Sequence, residues 1–168
     1  MGVSYIVGYF ICAIGSFLTF GYYKIRKQPS DDLLTPKDGK VYTGAWGIRF
    51  YETSKVISLA KQQMEGGSDA STDKIFKYVM RQTDGEPSRI QDFNAQYAFS
   101  RSLLTTLLIL FVLESIYVIQ SPMLTCCTKA LYVFCMLFVC FIAFIRFEQR
   151  GYYYAREVLN VYLKMNQK

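Results

Sequence analysis

The 168-residue chain contains no histidine. That absence removes the commonest general base in enzymes and the usual nitrogen ligand of zinc. Five cysteines are present, but none are paired at two-residue spacing, which argues against a structural zinc site. Also missing are a Walker-type loop, a nucleophile elbow and a glycine-rich dinucleotide fingerprint. The sequence therefore reads as a non-enzyme with no cofactor. Proline is scarce, at four residues, so long helices can run without a break. Charge is scarce as well, at 19% of residues, and it is unevenly placed.

Three stretches are almost free of charge: Gly2 to Tyr23, Ser102 to Gln120 with Glu114 as the exception, and Ala130 to Ile145. The first has 22 residues without a charged side chain, enough to cross a hydrocarbon core of about 30 Å at helical rise. Residues 123–128 can lengthen the third. The first stretch could instead be a cleaved leader. However, no Lys or Arg precedes it, it is too long, and no small-residue cleavage site follows. Three membrane spans are the expectation.

Basic residues flank these stretches unequally. Lys24, Arg26 and Lys27 follow the first, Arg101 precedes the second, and Arg146 and Arg150 follow the third, while only Lys129 lies between the last two. Short flanks rich in Lys and Arg stay in the cytoplasm. The N-terminus is then outside and the bulk of the polar sequence is cytoplasmic. Tyr5, Tyr9, Tyr22, Tyr23, Tyr117, Tyr132 and Tyr152 to Tyr154 fall near span ends, where a ring with a polar tip is favoured. The net charge of +6 fits attraction to anionic lipid. The basic residues are scattered, so direct nucleic-acid binding stays open with little to support it.

The expected fold class is all-α. Residues 1–23 form the first span, 24–101 a cytoplasmic helical region, 102–146 a transmembrane hairpin, and 147–168 a cytoplasmic helix. Within 24–101, residues 28–49 read as irregular, punctuated by Pro29, Pro36, Gly39, Gly44 and Gly47, with Trp46 at the membrane surface. Amphipathic spacing predicts a helix near 49–65 on Phe50, Ile57, Ala60 and Met64, and another near 72–81 on Ile75, Phe76, Val79 and Met80. Ser88 and Gln91 have capping-box spacing. From there no breaker occurs before Pro122, so 88–120 can be one helix. The third span likewise continues inward past Gly151. The inner ends of both long helices are expected to join the short helices in a small cytoplasmic domain.

Two sets of residues invite function. Ser4, Gly8, Cys12 and Ser16 recur every four residues along the first span. Small residues on one face let helix backbones approach closely in lipid, so this is a seam for span packing or self-association. Glu114, in "FVLESIYV", is a carboxyl in an apolar run. At a bilayer centre it would cost roughly 2.5–3.5 kcal/mol. It is either protonated and hydrogen-bonded across helices, facing water in a pore built from several copies, or shallow enough to reach the interface. Lys129 is the only nearby basic candidate partner. Cys126 and Cys127 are adjacent in the outer turn, either as free thiols or as an intermolecular bridge.

In "RFEQRGYYYAREVLNVYL", residues 146–163, charges alternate in sign, as on a solvated or internally paired helix surface. At "RGYYYAREVL" the chain resembles the small membrane accessory proteins of type VI-B CRISPR systems. The resemblance covers length, an N-terminal span, an apolar C-terminal third and an Arg-bearing late helix. It implies a divergent HEPN-like pattern, with Arg150 on the Arg and Ala155 standing where that family has His. It also implies an oligomeric ring in the inner membrane that disturbs membrane integrity, with an RNA-guided nuclease complex acting upstream. The function expected is an oligomeric membrane effector, with Glu114, Arg146 and Arg150 as pore-lining charges and membrane lipids and further copies of the chain as partners. The alternatives are a membrane-anchored helical scaffold for a cytoplasmic partner and, given the missing His, a less favoured HEPN-like RNA-processing protein.

Overall fold

Apolar sequence without a breaker becomes long helix. In the computed structural model, α1 covers Gly2–Ile25, α5 covers Ile90–Gln120 and α6 covers Cys126–Met165. These three are long and apolar enough to cross a membrane, among the described residues. Those residues are 2–35, 42–43, 48–64, 70–85, 89–122 and 124–167. Trp46, the capping residue Ser88, and the breakers Pro36, Gly39, Gly44 and Gly47 lie outside them. Between α1 and α5 come α2 (Pro29–Leu34), β1 (Tyr42–Thr43), β2 (Arg49–Phe50), α3 (Thr53–Gln63) and α4 (Thr72–Gln82). The two strands are two residues each and antiparallel, with Tyr42 opposite Phe50 and Thr43 opposite Arg49. Helix dominates throughout, and the all-α expectation holds at that level.

Two compact units result: Met1–Lys24 with Ala98–Glu148, and Ile25–Tyr97 with Gln149–Lys168. In the first unit the apolar side chains face outward. Tyr5, Phe17, Phe20, Tyr117 and Phe134 are each two-thirds exposed or more. Four of its hydroxyls are satisfied within their own helices. The hydroxyls of Ser16, Thr19, Thr105 and Thr106 each donate to the carbonyl four residues earlier, the device that serves a hydroxyl where no water is available.

The second unit has the opposite pattern, with an inward core. Leu33, Leu34, Ile48, Phe50, Val56, Ala60, Ile75 and Val79 pack with Tyr152, Ala155, Val158, Leu159 and Tyr162 of α6. Each large apolar side chain so buried contributes about 1.5–3 kcal/mol. The helix expected near 72–81 is present as α4, and its buried side is Ile75 and Val79. The helix expected from Arg49 starts later, at Thr53, because Arg49 and Phe50 pair with β1 instead.

The reading of 28–49 as irregular is corrected by α2. Pro29 occupies the start of that helix, where its missing N–H costs nothing, and Asp31 and Asp32 sit in the first turn, where the helix dipole favours them. Helix α2 joins the rest of its unit by side-chain bonds. Asp31 accepts from Thr72 at 2.8 Å, Asp32 accepts from Tyr152 at 2.8 Å, and the Leu33 carbonyl accepts from Thr53 at 3.1 Å.

Candidate functional site

The residues with chemistry in the first unit lie along the seam of its helices. Gly15 is buried, and a Cβ there would stand 2.7 Å from the Thr105 hydroxyl and 3.5 Å from Cγ of Arg101. With Thr105 in this position, a side chain at residue 15 would require its hydroxyl to move. Cys12 Sγ lies 3.4 Å from the Ser102 hydroxyl, one turn before that contact. The intrachain seam thus follows Cys12, Gly15 and, beyond them, Tyr22. Of the four-residue stripe, Cys12 meets α5, Ser16 is exposed and bonds only to the Cys12 carbonyl, Ser4 is exposed, and nothing lies within 4 Å of a Cβ built on Gly8. Ser4, Gly8 and Ser16 therefore present small, open surface.

Tyr22 completes the seam. Its hydroxyl donates a short hydrogen bond to Oε1 of Glu148, and its ring meets Phe144 edge-on at 5.6 Å. Tyr23 lies against Phe147 at 6.3 Å. Glu148 is only 3% exposed. The most deeply enclosed carboxyl among the described residues is therefore Glu148; the sequence reading of 146–163 as a solvated or internally paired surface did not single it out, and its partner is Tyr22 of α1. The signal that could have found it is its position after two aromatic residues, Phe144 and Phe147, on the same helix face, but its acceptor role depends on Tyr22, which is remote in sequence. Beside this seam, Nε of Arg101 is buried and makes no hydrogen bond.

Glu114 is half-buried and accepts a long hydrogen bond, 3.4 Å, from Tyr132 of α6. Lys129, its candidate partner, instead donates to the Ile119 carbonyl at 2.8 Å. The ammonium thereby serves the C-terminal end of α5, where carbonyls lack helical partners and positive charge is favoured. Arg146 is exposed. All five cysteines are free, and Cys126 and Cys127 are exposed.

In the second unit, Arg150 donates to Gln96 at 2.5 Å. Ala155 is 2% exposed and packed in the core, so the position the HEPN-like pattern gives to His has no opening to the surface. Around it lies a tyrosine network. Tyr154 stacks on Tyr97 at 6.2 Å and donates to Sδ of Met80. Tyr162 donates to Oε1 of Gln63 at 2.8 Å, and Nε2 of Gln63 donates to Asn166 at 2.7 Å. Burial pushes the phenols of Tyr154 and Tyr162 above their usual value. The neighbouring Tyr97 and Asp84 add to the effect at Tyr154, and Tyr78 adds to it at Tyr162.

Among the described residues, no three carboxyl or thiol side chains converge to hold a metal ion. No family model, curated protein or solved structure matches this chain.

Proposed function

We propose that the chain is an integral membrane protein whose α1, α5 and α6 cross the bilayer, and that copies of it assemble into an effector that opens a pore or otherwise perturbs the membrane. The observation that carries the membrane part is the outward apolar surface of the first unit, together with the hydroxyls of Ser16, Thr19, Thr105 and Thr106, which bond to carbonyls of their own helices. In water such a surface would be a large aggregation liability, whereas in lipid it is the ordinary exterior. The flanking charges orient it with the N-terminus outside and the second unit in the cytoplasm, in a bacterial inner membrane.

Self-association is supported by the division of small residues on α1. Gly15 is used within the chain, while Ser4, Gly8 and Ser16 remain open for the close approach of another helix. Glu114, Arg146 and Arg150 are the charges assigned to a shared conduit. The resemblance to type VI-B CRISPR accessory proteins supplies a setting: defence against phage, with an RNA-guided nuclease acting upstream. A second reading, a membrane anchor presenting a helical domain to a cytoplasmic partner, is favoured by the separate core of the second unit.

Particle shape and leakage from liposomes separate the two. The effector reading predicts a closed oligomer with a central channel, dissociated by Gly8→Leu, and dye or ion leakage changed by Glu114→Gln and by Arg146→Ala in a still-assembled particle. A monomer or dimer without leakage supports the anchor and removes the pore.

A further inference from the structure

The late helix carries a second feature, on the face turned toward the start of α3. A cleft of about 360 Å³ opens there in the second unit, within the size range of small-molecule sites. One wall is α6, where Arg156, Asn160 and Lys164 recur every four residues and so share a face. Tyr51, 66% exposed, stands on the opposite wall. Buried Leu163 supplies apolar floor. Arg156 is held in place by its own helix, with its guanidinium carbon 5.1 Å from the centre of the Tyr153 ring. Its Nε is shielded from solvent and makes no hydrogen bond. Among the described residues, the rim carboxylate is Glu52, which has its own cation, Lys55, at 3.9 Å. The cleft therefore offers two cations, an amide that can donate, and an aromatic face.

We propose that this cleft binds a small phosphate monoester, with Arg156 and Lys164 on the phosphate and Tyr51 and Leu163 against the rest of the molecule. A guanidinium presents a planar fork to phosphate oxygens, and a lysine adds a mobile point charge. The phosphate can belong to a soluble compound or to a lipid headgroup, and both are recognised by the same chemistry. The site does not depend on the pore reading, since binding is measured without reference to leakage.

The test is calorimetric titration of the full chain in detergent with AMP and with adenosine, alongside sedimentation with vesicles of phosphatidylcholine carrying phosphatidic acid, a lipid phosphate monoester, or the diester phosphatidylglycerol. AMP should bind saturably and adenosine should not. Arg156→Gln and Lys164→Glu should each weaken AMP about tenfold or more, the size of a lost charge-assisted contact, with Arg156→Lys intermediate. Lys164 is exposed, so its variant keeps the test valid if Arg156→Gln fails to fold. Preference for phosphatidic acid over phosphatidylglycerol vesicles, lost in the same variants and without AMP binding, assigns the site to a lipid phosphate monoester. Equal behaviour of wild type and both charge variants toward every probe overturns the proposal.

Discussion

Gly15 and Glu148 carry more of this protein's organisation than the residues its sequence advertises. A Cβ at Gly15 collides with a hydroxyl on α5, so Gly15→Ala should destabilise the first unit by about 1–3 kcal/mol, the usual cost of overpacking. The collision is with Oγ1 of Thr105, while Thr105 Cβ lies at an ordinary 3.6 Å. Thr105→Ala should therefore rescue Gly15→Ala, and thermal melting of the four proteins in detergent reads the coupling. If the two changes are simply additive, the close approach is not what Gly15 provides. At Glu148, Tyr22→Phe removes a donor from an enclosed carboxyl and should cost about 1–3 kcal/mol. Glu148→Gln, which keeps an acceptor oxygen, should cost less in the same measurement. Neither role was legible in sequence. Four-residue spacing draws the eye to Ser4, Gly8, Cys12 and Ser16, but the packed face advances by three at Gly15. The burial of Glu148 depends on a residue in another helix.

Among elements, α4, α5 and α6 follow from periodicity and the absence of breakers, and their extents lie close to those the sequence predicts. Helix α2 does not. Its six residues, PSDDLL, carry proline, serine and two aspartates, which read locally as a turn. It becomes helical because Leu33 and Leu34 are both fully buried against other elements, a tertiary gain no short window reports. Leu34→Ala should therefore destabilise the second unit by about 2–5 kcal/mol, measured by thermal melting, while leaving the apolar helices in place. At the end of α6, Tyr154 and Tyr162 hold their protons more tightly folded than unfolded. The unfolded chain then loses these protons first, so their contribution is complete below pH about 10 and falls as pH rises through the folded value. Melting temperature should drop above pH about 10, and Tyr154→Phe with Tyr162→Phe should flatten that alkaline decline.

For the whole molecule, two surfaces of opposite kind follow from where 32 charged residues fall among 168. One unit turns its apolar side chains outward, and the other buries them. That division was readable from charge-free stretches alone, because the cost of placing charge in hydrocarbon leaves a long signature in sequence. The proposed assembly of copies has a shorter signature, the small residues Ser4, Gly8 and Ser16 on α1. Alkaline carbonate extraction of membranes from cells expressing the full chain tests insertion into the bilayer most directly. The chain should stay in the membrane pellet and be released only by detergent. Its recovery in the carbonate supernatant as a monodisperse monomer, stable without detergent, would contradict insertion.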